Sequence, residues 1–145
     1  MDSNRIQRYR DKFTKFDIYH DQLSEWLISH PIESLDEKKD IHWIYAILHV
    51  FQNIAELISD ISAMVLKDSG KIVKDNYTNY KMLYDQSVIS KSSLDTLKRI
   101  TGLRNRIAHE YNGLIYDLAW KAMEDFIERF KFIREDLYKW LTSNS

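Results

Sequence analysis

Apolar residues recur every three or four positions along most of the chain, the spacing at which side chains share one face of an α-helix. The first such stripe stops at Ser29-His30-Pro31, because proline disfavours helical backbone in the residue before it. The pattern therefore predicts a first helix with a histidine on its apolar face, and such a histidine is most often a packed core residue. The stripe comprises Ile6, Tyr9, Phe13, Phe16, His20, Leu23 and Leu27.

A second stripe follows the segment Ser34-Leu35-Asp36-Glu37, which has the spacing of a capping box. In that motif the serine and the glutamate satisfy unpaired amides at a helix start. The sequence predicts that a second long helix begins there and ends near Gly70, a residue suited to a helix C-terminus. The stripe comprises Ile41, Ile44, Leu48, Phe51, Ala55, Ile58, Ser62 and Val65.

Four polar residues follow one another at spacings of 4, 3 and 4 on a different face of that helix: His49, Asn53, Glu56 and Asp60. A solvated face is the plain interpretation, and we favour it for His49 and Asn53. The Glu56 and Asp60 carboxylates could instead orient an arginine brought in from another helix. Both interpretations of these two residues stay open from the sequence alone.

A short third helix and a longer fourth helix are predicted next. We expect the fourth to start near Ser92 or Ser93 and to stop at Gly113. Gly102 lies inside it, where glycine costs about 1 kcal/mol relative to alanine, so we expect close packing against a neighbouring backbone. The third helix carries aromatic residues that could stack on nucleobases, although aromatic residues at helical spacing are more often core. These are Tyr77, Tyr80 and Tyr84, with Leu83 between them.

The fifth helix is predicted to take Asp117 as its N-terminal cap. Its stripe is long and aromatic, and it runs from Ala119 to Trp140. The first and last stripes are wide enough to serve both a core and a dimer interface. With only three glycines and one proline, the chain has few turns. The predicted fold is all-α, an up-and-down antiparallel bundle of about five helices in one domain, residues 1–145.

Charge and cysteine content narrow the functional classes. The formal net charge is −1, from 21 Lys plus Arg against 22 Asp plus Glu, so any contact with RNA or DNA must come from a local patch. The absence of cysteine excludes disulfide scaffolds, thiol catalysis and cysteine zinc sites. The N-terminus has no signal-peptide core, and no uninterrupted apolar run is long enough to span a bilayer. We expect a cytoplasmic protein with no membrane contact.

The segment 103–113 concentrates the reactive side chains of the chain. Arg104 is a permanently charged phosphate ligand, and His109 can take and give a proton near neutrality, which together suggest phosphodiester chemistry. On an ideal helix, at ~100° per residue, these two residues lie about 140° apart. Either the helix ends or bends between them, or the working site is assembled from two copies across a two-fold axis.

Arg104-x4-His109-x-Tyr111, near the end of the fourth helix of an all-helical chain, resembles the signature of the HEPN superfamily. Asn105, next to the arginine, adds to the resemblance. The wider context is similar to the HepT type of toxin over nearly the whole chain. That context comprises Glu56 and Asp60, the segment Tyr77 to Leu83, Gly102-Leu103-Arg104-Asn105 and the Trp120 region.

This resemblance implies a metal-independent endoribonuclease that acts as a homodimer, with no cofactor and no metal ligands. It implies His109 as general acid or base, Arg104 as the ligand of phosphate charge and Asn105 as a supporting contact, with Glu56 and Asp60 also supporting the site. It further implies a cognate MNT nucleotidyltransferase antitoxin that uses ATP to add AMP groups to Tyr111. One departure is Ile115, at a position four residues after the tyrosine where relatives often carry an acidic residue.

Two other interpretations remain open from the residues. Arg104 could form an interhelical salt bridge with Glu56 or Asp60, with His109 simply satisfied near a helix end. The chain could also be a non-catalytic partner subunit of a nucleotidyltransferase that binds RNA or nucleotide without cutting it. Arg106 is expected to pair with Glu110 on the surface rather than to add potential to the site.

Overall fold

Five α-helices and one short 3-10 turn make up the described part of the chain. The computed structural model describes the backbone of residues 1–109 and 113–145, and their side chains except those of residue 32 and residues 108–120. The helices are α1 (Ser3–Ser29), α2 (Ile41–Asp68), α3 (Asn76–Asp85), α4 (Lys91–His109) and α5 (Gly113–Asn144). The described residues contain no strand, so the predicted all-α class is confirmed.

Helices α1 and α2 run antiparallel, as do α1 and α5 and also α4 and α5, as the pairs of side chains between them show. Arg5 Nε of α1 lies 2.9 Å from the Asp68 Oδ2 of α2, and further along α1 Lys12 Nζ lies 3.0 Å from Asp60 Oδ2. Pairs between α1 and α5 and between α4 and α5 run in the same opposed order. The predicted up-and-down arrangement is therefore confirmed for a single copy of the chain.

The first helix starts and stops as local chemistry dictates. The Asp2 carboxylate caps it by accepting from the backbone N–H of Arg5 at 2.8 Å. The helix ends at Ser29, two residues before Pro31, as predicted. The apolar stripe faces inward, and its buried members are Tyr9, Phe13, Phe16, His20, Leu23 and Leu27.

His20 is a packed core residue, as its position in the stripe predicts. Its ring is 4% exposed and stacks on Phe16. Its Nε2 lies 2.7 Å from the carbonyl oxygen of Ile127 in α5. A carbonyl oxygen only accepts, so Nε2 carries the hydrogen and donates it. This bond ties α1 to α5 and leaves His20 out of the candidate chemistry.

The start of the second helix differs from the prediction, because Ser34 and Glu37 do not form a capping box. Ser34 lies in the 3-10 turn Ile32–Ser34, and its hydroxyl donates to the carbonyl of Pro31 at 2.7 Å. The Asp36 carboxylate accepts from the backbone N–H groups of Lys38 and Lys39, at 2.9 and 2.8 Å. This local turn competes with helix, so α2 begins only at Ile41.

The second helix is the centre of the bundle and contacts each of the other four helices. Its Phe51 packs against Phe126 and Phe130 of α5 in an aromatic cluster that closes the core. By length and composition alone α2 could also cross a membrane, but half of its most apolar window is buried inside the bundle. That burial is typical of a central core helix.

The end of α2 follows the prediction for Gly70. This glycine has a φ of 77°, in the left-handed region that side chains disfavour. Its N–H donates to the carbonyl of Lys67 at 3.0 Å, and the N–H of Lys71 donates to the carbonyl of Leu66 at 2.9 Å. These two bonds form a Schellman motif, which stops the helix and turns the chain toward α3.

The start of the last helix also differs from the prediction. Helix α5 begins at Gly113, so Gly113 opens this helix and Asp117 lies within it and does not cap it. A cap residue must sit where amides are unpaired, and the boundary at residue 113 precedes Asp117. From residue 121 onward the stripe is buried as predicted up to Leu137, with Met123, Phe126, Phe130, Ile133 and Leu137 all below 2% exposure, and Trp140 is half-buried. Ala119 lies outside the described side chains.

Candidate functional site

Helix α4 carries the motif, and its own sequence fixes how it lies. The Ser90 hydroxyl accepts from the backbone N–H of Ser93 at 3.1 Å, so the cap lies slightly before the predicted Ser92 or Ser93. The apolar stripe of α4 points into the core, with Leu94, Leu97, Ile100 and Ile107 all buried. Of the motif residues whose side chains are described, Arg104 is half-buried and Asn105 is exposed.

Arg104 lies at the edge of the bundle beside α2. Its Nη2 is 3.9 Å from the Glu56 Oε2, and the two side chains are 33% and 61% exposed. At this length the contact is a loose ion pair, without hydrogen-bond geometry, and a surface pair of this kind contributes about 0 to 1 kcal/mol. Glu56 therefore meets the predicted arginine from another helix without occupying its donors.

Asp60 is engaged elsewhere. Its Oδ2 accepts from Lys12 Nζ of α1 at 3.0 Å, one helical turn along α2 from Glu56. Glu56 and Asp60, which share a face of α2, thus pair with basic side chains on two different helices. Of the pair, only Glu56 forms an ion pair with Arg104 within the described residues.

Tyr80 of α3 is buried between these charges, a neighbourhood that sequence reasoning missed. Burial raises the pKa of its hydroxyl to about 12. The Ser59 hydroxyl and the Arg104 charge lower this pKa by smaller amounts, and the Asp60 charge raises it slightly. The Ser59 hydroxyl itself donates to the Asn76 amide oxygen at 2.6 Å. The helical spacing of the tyrosine indicates burial, but its position next to Arg104 arises only when α3 packs between α2 and α4.

Among the described residues no backbone lies close to Gly102, where close packing against a neighbouring backbone was predicted. A Cβ built there meets, outside its own turn and among the described residues, only the Tyr77 hydroxyl oxygen, at 3.8 Å. That is an ordinary van der Waals distance. The neighbour is also a side chain from α3, and the backbone of α3 lies beyond it.

Helix α4 does not end between Arg104 and His109, since it runs from Lys91 to His109. The alternative in which the helix stops between them is therefore wrong. On one helix the two positions point about 140° apart. Asn105 and Arg106 lie between them and are both exposed.

The other half of the motif falls outside the described residues. The side chain of His109 and the whole of Tyr111 belong there, as do Glu110, the expected partner of Arg106, and the side chains of Ile115 and Trp120. Among the side chains that are described, no three His, Asp or Glu residues lie close enough together to hold a metal ion.

The other two residues of the polar line on α2 are His49 and Asn53. His49 is exposed, and its Nε2 lies 3.2 Å from the amide nitrogen of Asn53. This contact links two residues one turn apart on the same helix. The predicted solvated face is confirmed for His49, and Asn53 is half-buried beside it.

A solved structure of a HEPN toxin has the same fold as this chain. The tri-AMPylated HEPN toxin of Shewanella oneidensis, solved in complex with MNT antitoxin, superposes with a TM-score of 0.79 at 18% identity, over 96% of this chain and 99% of that one. At that identity the likeness concerns the fold. It confirms the HEPN-like bundle that the motif suggested.

Sequence relatives point the same way. Two Archaeoglobus fulgidus proteins, each named "Putative RNase", are 40% identical over 86 residues and 35% identical over 98 residues. These matches cover 59% and 61% of this chain, and 65% and 74% of the relatives. The family model described as "Ribonuclease HepT-like" matches residues 4–137. Because that match spans most of the helical bundle, the chain belongs to the HepT-like ribonuclease family.

Proposed function

We propose that this protein is the toxin of a toxin–antitoxin pair and acts as a metal-independent endoribonuclease. The observation that carries the proposal is the state of Arg104. Its guanidinium is only loosely held by Glu56 at 3.9 Å and is 33% exposed, five positions before His109 on one helix of a HepT-like chain. An arginine in that state is available to bind an RNA phosphate.

Cleavage of RNA without a metal needs three events at one phosphate. A base removes the proton of the ribose 2′-hydroxyl, the 2′-oxygen attacks the adjacent phosphorus, and an acid protonates the departing 5′-oxygen. His109 serves in the proton transfers, and Arg104 stabilises the charge that develops on the phosphoryl oxygens. Asn105 adds a supporting polar contact to the RNA, and Glu56 restricts the orientation of Arg104. The products are a 2′,3′-cyclic phosphate and a 5′-hydroxyl.

The site is composite in this proposal and needs a homodimer. Positions 104 and 109 are about 140° apart around a continuous helix, so one copy would not direct both side chains at the same phosphate. A two-fold axis beside α4 would bring Arg104 of one copy toward His109 of the other. Such a cleft would explain how a small bundle builds a site for a polymer.

Control by a nucleotidyltransferase follows from the same arrangement. The structural neighbour is a tri-AMPylated toxin in complex with an MNT antitoxin, which supports an equivalent partner for this chain. In the transfer, the Tyr111 oxygen bonds to the α-phosphorus of ATP and pyrophosphate leaves. An AMP group two positions from His109 would fill the cleft and repel RNA by its charge. A cytoplasmic location fits a target of cellular RNA.

The decisive test is cleavage of RNA by purified protein in excess chelator. We expect Arg104→Ala and His109→Ala each to lower the cleavage rate by about 100-fold or more, because each removes charge stabilisation or proton transfer in the transition state. Arg99→Ala is the matched control. Arg99 lies on the same helix, is exposed and pairs with Asp125 at 3.4 Å, so its loss should leave the rate within about twofold.

Two outcomes would contradict the proposal. Equal cleavage by all four proteins would identify a contaminating nuclease. Binding of RNA by wild type without 2′,3′-cyclic phosphate products would instead assign the chain to the non-catalytic class, a binding partner of a nucleotidyltransferase. After co-expression with a cognate nucleotidyltransferase, mass spectrometry should find AMP on Tyr111.

A further inference from the structure

Tyr77 is an exposed tyrosine fixed against the catalytic helix. It lies in the first turn of α3, and 44% of it remains exposed. Its hydroxyl oxygen lies 3.8 Å from the place where a Cβ of Gly102 would be. The other two tyrosines of this segment are more enclosed, since Tyr80 is buried and Tyr84 is half-buried. Tyr77 is thus the tyrosine of α3 that presents its ring to the surface beside α4.

Nothing within the described chain explains a glycine at position 102. It does not have a positive φ, since the positive-φ residues in the described backbone are Ser87 and Gly70. Within a helix it costs about 1 kcal/mol relative to alanine. The nearest described atom outside its turn, the Tyr77 hydroxyl, would accept a methyl group at ordinary contact distance. Among the described residues, the space that Gly102 leaves beside the Tyr77 hydroxyl is open, and Gly102 itself is half-buried.

This opening, the Tyr77–Gly102 notch, lies on the face of α4 that leads to the motif histidine. At ~100° per residue, position 109 falls within about 20° of position 102, and position 105 within about 60°. Asn105 on this face is exposed, and its amide offers both donors and an acceptor. Arg104 is on another side of the helix. The notch thus adjoins the half of the site assigned to proton transfer.

The segment that carries Tyr77 is held rigidly. Asn79 is 3% exposed, and its amide oxygen accepts from the Lys74 N–H at 2.7 Å while its amide nitrogen donates to the Lys74 carbonyl at 2.9 Å. Asp75 caps α3 by accepting from the Thr78 N–H at 2.7 Å. Hydrogen bonds on both sides of Tyr77 fix its backbone, so a ligand would lose little free energy in ordering it.

We propose that the Tyr77–Gly102 notch is a subsite for one unpaired nucleobase of the RNA that Arg104 and His109 cut. The base stacks on the Tyr77 ring, Gly102 admits its edge, and the Asn105 amide hydrogen-bonds to that edge. The aromatic ring can stack on a base, the space beside it can admit the base, and the side-chain amide can hydrogen-bond to it. Together these features suit a nucleobase better than the apolar side chains of a protein partner. The inference rests on the proposed ribonuclease function and adds to it a determinant of substrate choice.

The test measures binding without cleavage, so it is independent of the catalytic result. The probes are 2′-O-methyl oligonucleotides of equal length, either with bases or abasic, at fixed salt. We expect Tyr77→Ala to weaken binding of the base-bearing probe by about 5- to 150-fold and to leave the abasic probe unchanged. Tyr77→Phe keeps the ring and should stay within about twofold. Gly102→Ala narrows the opening and should weaken only the base-bearing probe.

Phe132→Ala serves as the control, because it removes an exposed aromatic ring from α5 at 63% exposure. It should leave both probes unaffected. Equal loss of both probes in Tyr77→Ala, or no loss of either, would overturn the subsite. A change in the association state of Tyr77→Ala or Gly102→Ala, with RNA binding unchanged, would assign the notch to contacts between copies and also overturn it. Circular dichroism melts establish that each variant is folded.

Discussion

Arg104 forms an ion pair with Glu56 that is too long for a hydrogen bond. Its guanidinium carries five N–H donors, and its Nη2 lies 3.9 Å from one carboxylate oxygen of Glu56, beyond hydrogen-bond distance. Asp60, which could have competed, is instead bonded to Lys12. Within the described residues the guanidinium therefore has a preferred direction and makes no hydrogen bond. This combination suits a residue that must exchange a protein carboxylate for a substrate phosphate.

Neutralising Glu56 should separate binding from turnover. In Glu56→Gln, loss of the negative charge raises the potential at Arg104, so we expect KM for RNA to fall a few-fold. Loss of orientation should lower kcat by about threefold to tenfold. The free energy of unfolding should change by less than about 1 kcal/mol, because the pair is exposed. Steady-state kinetics and urea unfolding measure the three quantities.

Asp60→Asn is the matched control for Glu56→Gln. It removes the same charge one turn away, but from a carboxylate that pairs with Lys12 on α1. Its KM should fall less, and its kcat should be unchanged. If Glu56→Gln and Asp60→Asn behaved alike in kcat, Glu56 would not orient Arg104, and only the general charge of α2 would matter.

At the scale of elements, Gly102 inside α4 and Gly70 at the end of α2 should respond to alanine in opposite directions. Gly102→Ala should raise the free energy of unfolding by about 0.5 to 1 kcal/mol, since the site accepts a methyl group and helix propensity improves. Gly70→Ala should lower it by about 1 to 2 kcal/mol, because the φ of 77° strains any side chain. Urea unfolding of both variants checks the signs.

Each half of this pair serves as the control for the other. Destabilisation by Gly102→Ala would show that a group outside the described residues packs on that position in the free protein. Neutrality of Gly70→Ala would mean that the Schellman motif can be replaced by another helix ending.

Helix existence was predictable from the sequence, whereas helix starts were not. The stripes of α1, α2 and α5 bury large areas, and that driving force depends only on spacing. A helix start depends on small local competitions among polar groups. Both Ser34 and Asp36 have side chains that can cap a helix. The Asp36 carboxylate forms a turn instead, and α2 begins only at Ile41. Asp117 had the chemistry of a cap but lies inside α5.

The candidate site was predictable only in part, for a related reason. The sequence grouped Glu56 with Asp60 because they share a face of α2. The cation with which each carboxylate pairs depends on how α1 and α4 pack against that face. In the structure, Lys12 of α1 pairs with Asp60, and Arg104 of α4 pairs with Glu56. The position of Tyr77 beside Gly102 likewise arises from the contact between α3 and α4.

For the whole molecule, a composite site predicts complementation between two inactive variants. In a mixed dimer of Arg104→Ala and His109→Ala chains, one site lacks both groups and the other keeps both. Random pairing makes about half of the dimers mixed, so equimolar co-expression should restore about a quarter of wild-type cleavage. Cleavage by dimers purified through two different affinity tags measures this directly.

The control is a mixture of Arg104→Ala chains with Arg104→Ala chains that carry the second tag, which should stay inactive. No recovery in the mixed dimer would place Arg104 and His109 of the same copy at one phosphate. Helix α4 would then have to depart from its continuous course through residues 104–109 when RNA binds.

The continuous course of α4 also has a genetic consequence. On the composite site, a chain carrying both Arg104→Ala and His109→Ala removes one group from each site of any dimer it enters. Both sites of a mixed dimer are then inactive, so the defective allele is dominant over the active one. A cell expressing such a chain in excess would be protected from the toxin by a protein of almost the same sequence, with no nucleotidyltransferase required.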